Sequence, residues 1–121
     1  MAINKQPVVI LGPTSVPAGA TSVAPVIGVS VDVRLLAGGV WTYKITNGAS
    51  APTLACTVVL QISHDGSNWV DYQTFSGGVA ASTPYSRAVK MERGVMYARL
   101  IAYGNTVNPV TVESYLQAEV G

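Results

Sequence analysis

The stretch WTYKITNG, residues 41–48, decides the fold class of this chain. Trp41, Tyr43 and Ile45 alternate with polar residues, and successive side chains of a β-strand point to opposite faces of a sheet. The pair Asn47-Gly48, which closes the stretch, is a strong signal for a tight turn. The stretch therefore predicts a half-buried strand that ends in a turn.

The same period of two continues on both sides of this stretch. Strands bounded by glycine, asparagine or proline turns are predicted over residues 29–35, 41–47, 53–63, 69–75, 85–91, 95–103 and 110–120. No part of the chain shows a sustained helical period with caps. We therefore predict an all-β protein, an antiparallel β-sandwich or barrel of about seven to eight strands.

Residues 1–25 differ from the predicted β-sandwich domain, residues 26–121. Proline or glycine recurs every few residues there, which disfavours a helix or a central strand. The segment is nevertheless too apolar for a solvated tail. We predict an extended N-terminal arm that packs either on a neighbouring subunit or along its own domain. Its predicted partner-binding residues are Val8, Val9, Ile10, Leu11 and Val16.

The chain carries unusually few charges. Asp, Glu, Lys and Arg make up 11% of its 121 residues, against about 25% in typical proteins, while apolar residues reach 49%. The net charge is +1 and the cations are not clustered, so we expect no nucleic-acid partner. A monomer normally needs more surface charge to stay dispersed. We therefore expect a subunit, in a homo-oligomer, whose surface is largely covered by neighbours.

The apolar runs are short. They fall below the roughly 20 residues of a membrane-spanning helix, and the run after Met1–Lys5 is shorter than the apolar core of a secretory signal. We expect no membrane association and no export signal. The single cysteine, Cys56, fits synthesis in a reducing cytoplasm, where we expect it to be a buried, apolar side chain.

The sequence offers little for catalysis or metal binding. The only histidine, His64, precedes Asp65, and adjacent residues on a strand would point to opposite faces. The six acidic residues are dispersed, which argues against a calcium site. A nucleophile elbow and a phosphate-binding loop are both missing. We predict no catalytic residue, no metal and no cofactor, and we expect that the protein is not an enzyme.

The most distinctive local sequence is SHDGSNW, residues 63–69. Asp65-Gly66 predicts a hairpin turn, and the order of Ser, Asp, Gly and Trp resembles the Asp-box hairpin of sialidase-like propellers. We interpret it as a structural hairpin. The alternative is a carbohydrate contact, because Trp69 and Tyr72 could stack on sugar rings. Both are secondary candidates for partner binding.

Arginines interrupt several of the apolar alternating runs. If Arg99 shares a face with Tyr97 and Ile101, it must pair with a carboxylate or reach an interface, where arginine is enriched. The alternative is an ordinary solvent-facing position.

Three segments together resemble a known class of proteins. They are the run from Leu60 to Tyr72, the run from Met96 to Ala102 and the closing run from Pro109 to Glu113. An S-x-D-G-x-x-W hairpin followed by a late Y-x-R strand is similar to small β-sandwich virion proteins of tailed bacteriophages. The resemblance covers roughly residues 40–121 and implies a particle component without enzymatic activity.

We therefore predict a virion structural protein, made in the host cytoplasm. It would bind the major capsid protein or other virion proteins as a capsid decoration (cement) protein and stabilise the shell. The arm would add main-chain hydrogen bonds to an exposed sheet edge. The alternative is a tail, head–tail or fibre-associated module that binds a host-surface glycan.

Overall fold

The computed structural model describes residues 4–120, and these form two antiparallel sheets. The nine strands are β1 (Asn4–Val16), β2 (Val26–Ile27), β3 (Val31–Asp32), β4 (Gly39–Asn47), β5 (Thr57–Ser63), β6 (Trp69–Ser76), β7 (Pro84–Met91), β8 (Tyr97–Tyr103) and β9 (Val110–Val120). The part of the chain that is described contains no helix, and so none that could cross a membrane.

The strands divide into a four-stranded and a five-stranded sheet. Sheet A has the order β1-β9-β4-β7. Sheet B has the order β2-β8-β5-β6, with β3 also paired to β8. The predicted all-β class is confirmed, and the sandwich form is the one observed. Two of the nine strands, β2 and β3, are only two residues long.

The core lies between the two sheets and is centred on β4, which contains most of the WTYKITNG stretch. Trp41, Tyr43 and Ile45 of β4 are all buried, as the alternation predicts. The indole N–H of Trp41 donates to Ser114 Oγ at 2.6 Å, and Ser114 in turn donates to the Thr42 carbonyl at 2.9 Å. The indole N–H of Trp41 is thus satisfied, as the burial of this group requires.

The predicted strand over residues 29–35 is wrong for most of its length. Only Val31 and Asp32 pair with β8. The Asp32 carboxylate accepts the backbone N–H of Arg34 at 3.0 Å, and Leu36 N–H donates to the Val33 carbonyl at 3.1 Å. The Asp32 side chain thus takes a backbone donor that a longer strand would use for pairing, and the chain turns here. Asp forms such bonds to its local backbone readily. Leu35 is left 94% exposed.

The predicted strand over residues 53–63 begins late, at Thr57. The preceding residues are held by a loop instead, because Thr106 supplies its carbonyl to Thr53 N–H at 3.1 Å and its hydroxyl to Leu54 N–H at 3.0 Å. Cys56 is nevertheless buried in the core, where burial raises the pKa of its thiol to about 11.

Candidate partner-binding surfaces

The predicted arm contains an edge strand of the sandwich. β1 pairs along its whole length with β9 of the same chain, and its register shifts between Val9 and Leu11 and again before Thr14. Residues 1–3 of the predicted arm lie outside the described residues. Of the two alternatives left open for the arm, the single chain shows the one in which the strand packs along its own domain.

The first register shift explains why the apolar run of the arm does not alternate. A bulge places an extra residue in one strand, so that Ile10 and Leu11 both contact the core although they are consecutive. Ile10 is 1% exposed and Val16 is fully buried, while Val8 and Leu11 are partly buried. The partner contact predicted for Ile10 and Val16 does not fit this structure, since their side chains fill their own core. Val9, 59% exposed, is available to a partner.

The end of β1 is fastened to the rest of the domain by a buried amide. Asn105 Nδ2 donates to the Val16 carbonyl and to the Asn108 carbonyl, each at 3.0 Å. The backbone carbonyl of Asn105 accepts the Gly19 N–H at 3.2 Å. The chain therefore leaves sheet A at a fixed point before it reaches sheet B.

The outer face of sheet A presents several exposed apolar residues on and beside β1. Val9 lies opposite Tyr115, and Pro7 lies opposite Gln117, which in turn lies opposite Val40. Val40 is 43% exposed. A surface depression of about 670 Å³ adjoins Val40, lined also by Lys5, Lys90, Arg93 and Glu119. This surface, which we call the β1 face, combines exposed apolar residues with charges of both signs.

The structure does not bring Trp69 and Tyr72 together. Tyr72 lies in the inner layer, where its ring stacks 6.3 Å from that of Trp41, and its hydroxyl donates to the Lys90 carbonyl at 3.3 Å. Trp69 lies on the outer face of sheet B, with the Arg99 guanidinium 4.3 Å from its ring centre. The two rings therefore do not form one platform for a sugar.

The hairpin between β5 and β6 is closed by side chains. Ser63 Oγ accepts the Gly66 N–H at 2.9 Å, and Asp65 Oδ1 accepts the N–H groups of Asn68 and Ser67 at 2.8 and 2.9 Å. These backbone donors hold the pKa of Asp65 well below its usual range. Gly66 adopts a φ of 79°, which favours glycine. The geometry agrees with the structural interpretation of this motif.

His64 and Asp65 are closer than strand alternation predicts. Their side chains lie 3.5 Å apart because both residues belong to the turn, where alternation does not apply. The His64 side chain is largely exposed, and the Asp65 oxygens already accept several hydrogen bonds. Within residues 4–120, no three His, Cys, Asp or Glu side chains are grouped so that they could hold a metal ion.

The outer face of sheet B carries a row of polar side chains across three strands. Gln61 of β5 lies directly opposite Arg99 of β8 on one side and Asp71 of β6 on the other. Arg99 Nε donates to Gln61 Oε1 at 2.8 Å, and Gln61 Nε2 donates to Asp71 Oδ1 at 3.0 Å. We call this surface the β5 face. Partial burial lowers the pKa of the Arg99 guanidinium.

The β5 face also holds the aromatic residues beside this row. Trp69 lies next to Arg99, and the guanidinium of Arg34 lies 5.1 Å from the ring centre of Tyr97. Tryptophan, tyrosine and arginine dominate the binding energy of protein interfaces. Sequence reasoning singled out Trp69 and Arg99 separately, but it missed Gln61 and Asp71, because only the strand register reveals that they form one row.

The comparisons show similarity of fold. Neither a protein-family model nor a curated protein matches the sequence. Among solved structures, the chain is similar to the SPBc2 prophage-derived protein YomS, with 13% identity, a TM-score of 0.52, and 96% of this chain and 95% of that chain covered.

A second similar structure is that of infectious bursal disease virus, Gx strain, with 10% identity and a TM-score of 0.56. The alignment covers 98% of this chain but only 32% of the viral chain, so this chain spans about a third of it. Because the identities are this low, the two comparisons show a shared fold and nothing more.

Proposed function

We propose that the protein is a structural component of a bacteriophage virion, a decoration protein that binds the capsid and stabilises it. The observation that carries the proposal is the composition of its surface. Among residues 4–120, at least eleven large apolar side chains are exposed, while charged residues make up only 11% of the sequence. Such a surface is suited to burial against neighbours.

The fold comparisons support this proposal. One similar structure is described as prophage-derived, and the other is the structure of a virus. The sandwich fold alone serves many functions. The weight of the proposal therefore rests on the surface, and the partners we infer are the major capsid protein and further copies of this chain. That the protein is not an enzyme stays a prediction.

We infer that the β1 face contacts the capsid. Val9 is more exposed than Val40, the other valine of this face, and β1 is an edge strand with one unpaired side in sheet A. Pro7 and Pro13 and the two register shifts make this edge a poor partner for indiscriminate strand pairing. Apolar side-chain burial is therefore the better source of affinity, at about 25 cal/mol per Å² before ordering costs.

The test is co-sedimentation with capsids assembled without the chain. We expect the wild-type protein to bind and Val9→Asp to bind at least about tenfold more weakly, because a buried carboxylate would lack a partner. The matched control is Val79→Asp, a half-exposed position in the loop between β6 and β7. Lack of binding by the wild-type protein contradicts the proposed function. Equal binding by the two variants contradicts only the assignment of the β1 face.

The alternative, a glycan-binding module, has less support in the geometry. One face of Trp69 is occupied by Arg99, and Tyr72 lies in the inner layer. Saccharide binding by the isolated protein, lost in Trp69→Ala, would favour this alternative over the capsid.

A further inference from the structure

We propose that the β5 face pairs with the same face of a second copy of this chain, about a two-fold axis that runs along β5 above Gln61. This inference deepens the proposed function, on which it rests for the presence of many copies.

The β5 face is complementary in charge to itself. Gln61 lies at the centre, Arg99 one strand away on one side, and Asp71 one strand away on the other. A two-fold axis along β5 exchanges the two sides of the facing sheet. Arg99 of one copy then faces Asp71 of the other, and Asp71 of the first faces Arg99 of the second. A single row of three residues thus supplies two equivalent ion pairs, as a two-fold interface requires.

Within residues 4–120, neither Arg99 nor Asp71 forms an ion pair, so both charges are available to a partner. The hydrogen bond from Arg99 to Gln61 uses Nε, and no carboxylate of residues 4–120 forms an ion pair with Arg99. Asp71 is exposed and accepts one hydrogen bond, from Gln61 Nε2. A guanidinium can bind a carboxylate through two parallel hydrogen bonds, and its terminal nitrogens are the natural donors here.

Apolar and aromatic contacts surround the row. In the next row of the same face, Ser63 lies between Tyr97 and Trp69, so the same axis brings Tyr97 of one copy toward Trp69 of the other. On the other side of the row, Ile27 lies opposite Ile101 and is 54% exposed. Trp69, Tyr97 and Arg99 are of the three residue types that are enriched in binding hot spots.

The area of the β5 face determines how strongly two copies are expected to pair. β8 has seven residues, so the face is about 24 Å long, and four strands abreast make it about 19 Å wide. The footprint is then about 450 Å² per copy, or about 900 Å² for the pair. Stable interfaces bury about 1,200–2,000 Å² in total. We therefore expect weak, micromolar pairing in solution, which a multicopy particle would strengthen through avidity.

The test is an exchange of charges across the axis, read by sedimentation velocity over a concentration series. We expect the wild-type protein to show a concentration-dependent dimer. Arg99→Glu alone and Asp71→Arg alone each place like charges together twice per dimer, so each should weaken dimerisation at least about tenfold. The double variant restores opposite charges across the axis and should recover the dimer. Ser50→Glu, at an exposed position in the loop between β4 and β5, is the control and should leave dimerisation unchanged.

Three results would overturn this inference: a wild-type protein that stays monomeric, single variants that dimerise like the wild type, or a double variant that is no better than the singles. Circular dichroism of each variant separates loss of pairing from loss of folding. The single variants would bind capsids through the β1 face even if they do not dimerise, so failure of this inference is distinguishable from failure of the proposed function.

Discussion

Replacing Ile10 by alanine tests whether β1 belongs to the folded domain. The side chain is 1% exposed and contacts the main core. The substitution removes three carbon groups, worth about 0.8 kcal/mol each in transfer free energy, or about 2.4 kcal/mol together. A residual cavity adds to this, so we expect the free energy of unfolding to fall by about 3 kcal/mol.

The assay is urea unfolding followed by tryptophan fluorescence, at two protein concentrations about a hundredfold apart. Val9→Ala is the control, because the neighbouring side chain is largely exposed and its removal should cost less than about 0.5 kcal/mol. The destabilisation by Ile10→Ala should be the same at both protein concentrations. Equal, small effects of the two substitutions would refute the assignment of β1 to its own core. A difference in stability between Ile10→Ala and the wild type that itself changes with concentration would mean that β1 packs on another copy, because pairing through the β5 face affects both proteins alike.

Three further predictions follow from the interior and from the hairpin. Ser114→Ala leaves the indole N–H of Trp41 without its acceptor, so denaturant unfolding should show a loss of about 1–3 kcal/mol, and no measurable loss would contradict the observed hydrogen bond. The Cys56 thiol is buried and its pKa is raised to about 11, so a thiol reagent at pH 7 should label it only after unfolding, and rapid native labelling would count against its placement. The folded-state pKa of Asp65 is lowered and that of Asp32 is lowered to about 2, so their stabilisation is complete above about pH 4, the unfolded value, and is lost as the pH falls further. At pH values below 4, the thermal midpoint of the wild type should therefore fall, and that of Asp65→Asn should fall less. Identical dependence of the two midpoints on pH would exclude a contribution from the Asp65 carboxylate.

Much of the fold follows from local pattern. Trp41, Tyr43 and Ile45 alternate with polar residues, and all three are buried, because one face of β4 meets the core and the other does not. Asp65-Gly66 predicts its turn for a similarly local reason, since Asp bonds its own backbone there and glycine tolerates the positive φ.

The errors arise where a tertiary or side-chain contact overrides the pattern. Apolar and polar residues alternate over residues 29–35, but the Asp32 carboxylate accepts the Arg34 N–H, and the strand ends there. Ile10 and Leu11 are consecutive and both contact the core, which only a bulge permits.

The candidate surfaces were the least predictable part. The row on the β5 face joins Gln61 and Asp71 of the β5–β6 hairpin to Arg99 of β8, which lies 38 residues after Gln61. Its existence depends on strand order and register, and neither is encoded in local alternation.

The central claim is that this protein is a stoichiometric building block of a particle. Quantitative mass spectrometry of purified virions tests it most directly, by counting copies of this chain against copies of the major capsid protein. We expect a fixed ratio, with copies of this chain numbering in the same range as the capsid subunits. Purified particles that lack the chain would contradict it.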